Sequence, residues 1–460
     1  MKKQILIFVS TLLFVGLFYN QGIGVNLSIF ALLLLGLNFV QKPELLHDRK
    51  AVVLALCVVL SSFSNAWIFT FTTFISVIIS SFIFRYYIVE PQLKLVSQAV
   101  IWCSNWLAAF VQMFQFDDWF EYNKSKPQKT FSKLFSYLML PFLILSVFFG
   151  IYVASSDTLS AWYHQYELDV DAIIILITVL GFYFSFVFWN IKVYEPFRTL
   201  NRSLQFNFTK QQKEHLKPTF DFLEIGFEKR SGVITLTCLN IMLLFFIIVF
   251  NTEHFQTAPQ HFSEYSSRIH EQINSLIGSI VLAMLVILFY FKGALNFVQN
   301  NKVLVRLSKL WLGLNGVLII SAVVQNTIYI NASGLTYKRL GVYLFLILCT
   351  FGLYYSYRKI HLQKTNFYLV NKMSWTLFYS LIICSLFNWG AIITKYNLTK
   401  ENVDLNYLML HLYGNEKELL KHYQSKKDEA GVQRIKQQIE KEQAESFLSS
   451  ELYYKSVSLK

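Results

Sequence analysis

The sequence predicts an all-α integral membrane protein with about 11 transmembrane helices, a cytoplasmic N-terminus and an extracytoplasmic C-terminus. Three observations support this prediction. Of the 460 residues, 54% are apolar and only 15% are charged, whereas soluble chains average ~45–50% apolar and ~25% charged residues. Most of the apolar stretches approach the ~20 residues that a helix needs to cross ~30 Å of hydrocarbon. The third observation is that Lys and Arg concentrate in alternate loops.

The apolar stretches give the predicted spans in order. They are residues 4–20, 24–41, 50–64, 66–84, 134–154, 172–192, 232–251, 274–291, 310–330, 339–357 and 373–393. The third and fourth are short, and only a cluster of serines and Asn65 separates them. We therefore expect a tight hairpin or a partly re-entrant pair there, and either alternative leaves the later topology unchanged.

The loops between these stretches sort positive charge. With the N-terminus inside, the inward loops hold 27 of the 41 Lys and Arg, the outward loops hold 3 and the C-terminal tail holds 11. Positive charge is retained in short cytoplasmic loops, so this pattern sets the orientation. The +13 net charge then lies beside anionic headgroups. We predict membrane lipids as partners and no nucleic acid, since no basic soluble domain or recognition module is present.

One further apolar segment, residues 91–113, is ambiguous. As a span it would invert the later topology, placing the acidic loop 155–171 inside and the basic loop 192–231 outside. Lys94 and Asn105 favour a helix that lies in the membrane interface. We therefore predict one cytoplasmic interfacial helix over this segment.

The chain is predicted to divide into a transmembrane domain, residues 1–394, and an extracytoplasmic helical tail, residues 395–460. Two lysines and an apolar run without a small-residue cleavage site predict a signal anchor that stays as the first helix. Helical spacing in the tail predicts two short helices in 404–425 and one helix over 427–447. We expect them to dock on the outer face or on a protein partner.

Motifs for catalysis or for cofactors do not stand out. The five cysteines lie far apart in apolar segments with no C-x-x-C pair, so we interpret them as small buried residues. His254 and His261 match no strong metal-ligand spacing. There is no H-E-x-x-H, G-x-S-x-G or P-loop motif. The sequence therefore predicts no metal and no cofactor.

Polar residues at membrane depth are amides rather than ionisable groups. Coupled transporters usually place an ionisable side chain there, and none lies in the middle of a predicted span. The candidate intramembrane polar residues are Asn240, Asn315, Gln325, Asn326 and Asn388. Hydrogen bonding between helices, worth ~1 kcal/mol or less per group, is one interpretation. Lining a path for a neutral solute or lipid is the alternative.

Two of the 3 outward cations, Lys338 and Arg339, lie beside a Gly-Leu-Thr turn. A lipid headgroup, an anionic ligand or acids of the loop 252–273 are candidate partners for them. In that loop, His270 and Glu271 could form an acid/base pair, with a solvent-facing or structural role as the alternative. The candidate outer-face site is His270, Glu271, Asn331, Thr336 and Arg339.

The outer-face residues belong to a pattern that resembles a known family. Tyr329-x-x-x-x-Gly334-Leu335-Thr336-x-x-Arg339 precedes an apolar helix, Glu264-Tyr265 and His270 lie upstream, and Asn388, Tyr396-Asn397 and Asp404-x-x-Tyr407-Leu408 lie downstream. The pattern resembles bacterial polytopic membrane proteins catalogued as domain of unknown function 4173, with a sister group numbered 4153. The resemblance covers mainly residues 230–412. It implies a multi-pass protein of the bacterial inner membrane and no established activity.

Three hypotheses of function follow. The first is a non-enzymatic scaffold, sensor or accessory subunit that engages a partner through its outer loops and tail. The second is a carrier or flippase for a neutral solute or lipid that uses the amide-bearing spans. The third is a membrane enzyme with an outer-face site at His270, Glu271 and Arg339.

Overall fold

The computed structural model is built from α-helices. It describes residues 2–115, 172–219, 224–256, 262–401 and 403–459 together with parts of 137–159, and for 172, 253–256 and 262–275 it describes the backbone only. Within these residues, extended pairing is limited to one isolated bridge between Asn207 and Lys364. The predicted all-α class is confirmed.

The helices follow one another along the whole described chain. In order they are α1 (Lys3–Phe18), α2 (Val25–Gln41), α3 (Arg49–Trp67), α4 (Phe71–Val89), α5 (Leu95–Gln112), α6 (Ala172–Trp189), α7 (Glu195–Ser203), α8 (Lys210–Glu214), α9 (Ile225–Gln256), α10 (Phe262–Tyr290), α11 (Lys302–Ser333), α12 (Tyr337–His361), α13 (Asn366–Ser385), α14 (Trp389–Asn397), α15 (Leu405–Leu410), α16 (Glu416–Lys426), α17 (Glu429–Ala444) and α18 (Leu452–Ser456). Short 3-10 turns occupy Pro43–His47 and Ala294–Asn296.

Several of these helices have the length and composition of membrane spans. Five qualify on their own: Arg49–Trp67, Phe71–Val89, Ile225–Thr252, Lys302–Ser333 and Tyr337–His361. A sixth is formed if α13 and α14 are one bent span. Four more of the predicted spans are shorter apolar helices: Lys3–Phe18, Val25–Gln41, Ile173–Trp189 and Leu276–Tyr290. Most of the span predicted over 134–154 lies outside the described residues.

The predicted joint between the third and fourth spans is wrong. Both α3 and α4 are full 19-residue helices, and the break between them lies at 68–70. The serine cluster does not interrupt α3, because the Ser64 hydroxyl donates to Leu60 O at 2.9 Å. Such bonding to a carbonyl one turn earlier satisfies a hydroxyl inside a helix. The actual start of α4 is a capping box between Thr70 and Thr73.

The last predicted span, 373–393, is not one straight helix. It is divided into α13 and α14, which are bent by 64° at a short break. The break is stabilised by Asn388, whose side-chain oxygen accepts from Ala391 N at 3.0 Å and thereby caps α14. The polar residue that the sequence places inside a span is therefore a helix cap.

Contacts divide the chain into two compact units. Unit 1 contains residues 1–199, 381–387 and 429–460, and unit 2 contains residues 200–380 and 388–428. These units rest on packing, whereas the predicted division at residue 394 rests on membrane topology, so that division stays a prediction.

Unit 1 is centred on α1 to α6. Helix α1 packs along α6, α2 along α3, and α3 along α4. Leu6, Ile7 and Trp189 are among its most buried apolar residues, and the Trp189 indole donates to the Ser10 hydroxyl at 2.8 Å.

Helix α5 lies where the interfacial helix is predicted. Its Asn105 side chain donates to Lys192 O and accepts from Lys192 N, both at 3.1 Å. These two bonds fix the chain just after α6. The opposite side of α5 is apolar and exposed at Leu107 and Phe110. Its placement in the cytoplasmic interface stays a prediction.

The end of the C-terminal tail packs inside unit 1 against the connection between α1 and α2. Val25 N donates to Ser450 O at 3.2 Å, and Asn26 N donates to Leu448 O at 3.0 Å. A Cβ on Gly24 would overlap with the carbonyl oxygen of Ser449. Only glycine allows this backbone contact. The tail is therefore fastened to unit 1 by main-chain hydrogen bonds.

Unit 2 is centred on α9 to α12. Helix α11 packs along α9 and α12, and α10 packs along α11. Leu236, Ile280, Ile287 and Leu318 are fully buried between these helices. One end of α11 approaches α14 and α15, and there the residues of the family pattern meet.

Candidate functional site

The site begins with a sharp turn between α11 and α12. Gly334 follows the last residue of α11 with φ +82°, a conformation that L side chains rarely adopt. Two residues later the Thr336 hydroxyl accepts from Arg339 N at 3.4 Å and caps α12. The Gly-Leu-Thr sequence thus ends one helix and starts the next within three residues.

An amide from α14 clamps this turn. The Asn397 side chain accepts from Leu335 N at 2.6 Å and donates to Leu335 O at 2.9 Å. Both main-chain groups of Leu335 are therefore paired by one residue 62 positions away. A Cβ on Gly334 would lie 2.8 Å from the Asn397 side-chain oxygen. The clamp and the turn therefore depend on each other.

Arg339 lies under the turn and is only 8% exposed. Its Nη1 donates to Ser333 O at 2.7 Å and also to Gly334 O. Its guanidinium carbon lies 4.0 Å from the centre of the Tyr329 ring, within cation–π range. The cation thus binds the final carbonyls of α11, which carry the negative end of the helix dipole.

The outer surface of the turn is joined to the segment after α14. The Tyr396 hydroxyl donates to the Asn331 side-chain oxygen at 2.9 Å, and Lys400 Nζ donates to Asn331 O at 3.3 Å. Tyr337 N donates to the Tyr407 hydroxyl at 3.3 Å. The Tyr396-Asn397 and Tyr407 elements of the family pattern therefore contact the Gly-Leu-Thr element directly.

The bend at Asn388 belongs to the same cluster of contacts. Besides capping α14, the Asn388 amide donates to Gly414 O at 2.7 Å. A Cβ on Gly390 would overlap with Tyr413 O. Residues 388–414 therefore fold back on themselves and hold the Asn397 clamp in place. We call residues 331–339 together with residues 388–401 and 403–415 the turn cluster.

Of the predicted outer-face residues, the structure brings Asn331, Thr336 and Arg339 together in the turn cluster. Asn326 joins them, because its amide donates to Arg339 O at 3.2 Å. The side chains of His270 and Glu271 lie outside the described residues. The acid/base pair predicted there therefore stays a prediction.

Two of the other predicted amides, Asn240 and Gln325, lie elsewhere in unit 2. The Asn240 amide donates to Leu236 O at 2.7 Å in its own helix and to Leu307 O of α11 at 3.1 Å. It therefore forms the predicted hydrogen bond between helices. Gln325 is different, since it is buried and neither its amide nitrogen nor its oxygen has a hydrogen-bond partner.

Asn240, Asn315 and Asn326 share one feature: the side-chain nitrogen donates a hydrogen bond, whereas the side-chain oxygen is buried without a partner. The Asn315 amide donates to Trp311 O within α11 at 2.8 Å.

Two buried cations, Arg85 and Lys359, differ from the prediction. The predicted spans 66–84 and 339–357 end shortly before them and place them in inner loops. The structure extends α4 and α12 past them and buries both side chains. The apolar residues that continue directly after Arg85 were the available signal for the longer helix.

The Arg85 guanidinium is fully engaged by neutral acceptors. It donates to Asn38 Oδ1 at 2.9 Å and Gln41 Oε1 at 3.4 Å. It also donates to the carbonyls of Phe188 at 3.3 Å and Trp189 at 3.4 Å, at the end of α6. Stacking on the Trp189 ring at 4.6 Å completes its surroundings. This arrangement stabilises packing and leaves the group without a free donor edge for chemistry.

Outside the spans, one carboxyl and one guanidinium have shifted pKa values. The Tyr87 hydroxyl donates to Asp48 at 2.5 Å and is the main reason that the pKa of this carboxyl is lowered. Glu90 lies 3.1 Å from Arg198 and raises the pKa of its guanidinium. Both pairs lie near the ends of helices in unit 1.

The cysteine prediction is partly wrong. Cys57 and Cys349 are buried as expected, whereas Cys103 and Cys238 are exposed on their helices and Cys384 is half-buried. An apolar segment places a thiol near the membrane but does not fix which helix face carries it. In the part of the chain that the structure describes, no three His, Cys, Asp or Glu residues are grouped to hold a metal.

The long apolar helices and the interlocked turns between them define the class of protein, an all-α membrane protein. Within that class, the chain belongs to the family described as Domain of unknown function (DUF4153), whose sequence model matches residues 51–415. The match is to the group numbered 4153 and extends well beyond the predicted region 230–412. No curated protein and no solved structure matches the chain significantly.

Proposed function

We propose that this protein is a multi-pass scaffold or accessory subunit of a bacterial inner membrane, which engages a protein partner through its outer segments. One observation carries the proposal. Tyr396, Asn397 and Tyr407 of the family pattern use their hydrogen bonds to fasten loops together, as in the Asn397–Leu335 clamp. Such residues build a rigid surface rather than a reactive centre.

The proposed topology has 11 spans, an inside N-terminus and an outside C-terminus. Contacts inside each unit support it, because loops assigned to one side contact loops assigned to the same side. In unit 2, Thr365 N of one inward loop donates to Phe206 O of another at 3.1 Å. On the outward side, Tyr396 of the tail donates to Asn331. In unit 1, the outward segment at Gly22 bonds the tail at Ser449.

Each unit has exposed apolar residues on its outer segments, and each set is a candidate partner surface. Leu410 and Tyr413 in unit 2 are 63% and 65% exposed, and Phe447 in unit 1 is 60% exposed. All three lie outside the candidate spans, so lipid tails do not cover them in the proposed topology. Exposed apolar residues beside a polar rim are typical of protein interaction sites.

Thiol labelling tests the proposed orientation. In a chain without native cysteines, Gln424→Cys and Lys210→Cys each place one thiol at an exposed position. A reagent that cannot cross the inner membrane should label position 424 in whole cells and position 210 only after lysis. Labelling of position 210 alone in whole cells would reverse the proposed topology.

Photo-crosslinking tests the partner surface. A photoreactive amino acid at Tyr413 or Phe447 should give a single crosslinked protein band in cells, whereas the same group at exposed Lys426 should not. The same crosslinked band should form when the protein is expressed at its natural level. If both surface positions yield only lipid or self-adducts, the scaffold proposal fails.

The carrier alternative is favoured by one observation, the unpartnered amide of Gln325 in α11. A buried amide without a partner costs ~1–3 kcal/mol, and a polar solute or headgroup could satisfy it. In reconstituted vesicles, Gln325→Leu should abolish lipid scrambling or solute uptake if this is the path. Surface Gln211→Leu is the matched control, since this residue is exposed on α8.

A further inference from the structure

We propose that Arg339 is a binding site for a phosphate-bearing anion at the outer end of unit 2. Arg339 has more N–H donors than hydrogen-bond partners. A guanidinium has five N–H groups, and in Arg339 only Nη1 donates hydrogen bonds, to Ser333 O and Gly334 O. Nε is buried without a partner, and Nη2 donates to no described residue.

The unpaired donors lie on one edge. Nε and Nη2 form the side of the guanidinium that faces two oxygens of a single carboxylate or phosphate. The centre of the Tyr329 ring lies 4.0 Å from the guanidinium carbon, so the ring packs against the group and helps to fix its position. The group is therefore held in place while three of its five N–H groups are unused.

Apart from the carbonyls at the end of α11, the described surroundings of Arg339 are electropositive. No carboxylate of the described side chains lies within ion-pair distance of Arg339. Asp404, a neighbouring acid in the turn cluster, caps α15 by accepting from Tyr407 N at 3.0 Å. Arg339 itself lies in the first turn of the 25-residue helix α12, where the positive end of the helix dipole is added to the cation. Exposed Lys338 adds a further charge.

A buried cation without a counter-charge is unfavourable, so an anion from outside the described residues is expected. The position of Arg339 along the spans indicates which kind of anion it binds. Helices α11 and α12 are both candidate spans, and Arg339 lies within a turn of the point where one ends and the other begins. Cations at such span ends meet phosphate headgroups. The expected ligand group is a phosphate, which is carried either by a phospholipid or by a soluble phosphate compound.

Lipid retention by the purified full-length protein tests the site. The protein is exchanged into nanodiscs of phosphatidylglycerol with phosphatidylcholine, released, and its bound phosphatidylglycerol is counted by native mass spectrometry. Arg339→Gln should lower retention by about tenfold, the loss expected for one charge-assisted bidentate pair. Lys338→Gln removes an equal charge from the adjacent exposed position and should leave retention within about twofold.

A second variant keeps the test valid if Arg339→Gln does not fold. Arg339→Lys retains the charge but lacks the two-donor edge. Its lipid retention should therefore be lower than that of the wild type and of Lys338→Gln, but above zero. Inorganic phosphate added in place of lipid separates the two sources. Arg339-dependent protection against heat by phosphate alone would assign a soluble ligand, and retention of phosphatidylglycerol alone would assign a lipid.

Two results would overturn the proposal. The first is wild-type retention in the Arg339 variants together with no protection by phosphate. The second concerns the acids of α10, whose side chains lie outside the described residues. If Glu271→Gln and Arg339→Gln destabilise the protein equally and the double variant is no worse, Arg339 pairs with an internal carboxylate and binds no external anion.

Discussion

Replacing Asn397 by alanine tests whether the turn cluster holds unit 2 together. The change removes both hydrogen bonds to Leu335, at 2.6 and 2.9 Å, and leaves a buried N–H and a buried C=O unpaired. Each unsatisfied main-chain group costs ~1–3 kcal/mol, and relaxation of the turn recovers part of this. We expect a loss of about 2–4 kcal/mol in the free energy of unfolding, or roughly 5–10 °C in the melting midpoint of a unit this size.

The buried thiol of Cys349 reports this unfolding directly. With the other four cysteines replaced by alanine, a fluorogenic thiol reagent in detergent follows the melting of the helix core through Cys349 alone. Asn251→Ala is the matched control, because its amide bonds only Ile247 O of its own helix at 2.8 Å. The control should cost about 0.5 kcal/mol or less. Equal shifts for the two variants would refute the clamp.

Gly334→Ala extends the test through coupling. The added methyl meets a positive φ and the Asn397 oxygen at 2.8 Å, so we expect ~1–3 kcal/mol from the backbone and a further cost from the overlap. In the Asn397→Ala background only the backbone cost remains. The double variant should therefore be less destabilised than the sum of the two single variants. Strict additivity would mean that the two residues do not touch.

Three further outcomes follow from other contacts. Gly390→Ala should lower the melting midpoint strongly because its methyl would overlap with a backbone carbonyl, whereas Gly316→Ala, with no atom within 4 Å, should not. Arg85→Lys should cost ~2–4 kcal/mol, since one ammonium cannot replace four guanidinium hydrogen bonds, and a melt no different from wild type would contradict this. The Asp48 pKa lies below its usual 3.8. The ionised carboxylate therefore stabilises the fold fully above pH 3.8, and this stabilisation is lost as the pH falls through the lowered pKa. Tyr87→Phe should weaken this acid dependence in melts recorded from pH 6 to pH 3.

The fold class could be predicted from sequence because burial in lipid demands long apolar helices, and that signal is strong in composition. Helix ends could not be predicted as well. Ser64 shows why: its hydroxyl looks like a break in an apolar run, yet it is satisfied by the carbonyl of Leu60. Asn388 shows the reverse, since an amide inside an apolar run is the cap at which the last span bends.

The members of the turn cluster were predicted in part, and their partners were not. The family pattern selected Gly334, Arg339 and Asn397 as related positions. It could not show that Asn397 bonds the backbone of Leu335, because a main-chain N–H and C=O look alike at every position of a sequence. The positive φ of Gly334 by itself explains why glycine occupies that position. The remaining contacts depend on tertiary structure that no local pattern specifies.

The three buried cations of the described residues show a common rule that charge counting misses. Arg85 bonds the carbonyls that end α6, Lys359 bonds Phe291 O just after α10 at 2.6 Å, and Arg339 bonds the carbonyls that end α11. In each case a carbonyl at or just after a helix C-terminus, the negative end of the helix dipole, accepts from the cation, and no described carboxylate does. Each nitrogen of the Arg85 guanidinium donates to such a neutral acceptor. Arg339 has the same type of partner but keeps an unpaired donor edge, and this difference separates a structural cation from a candidate ligand site.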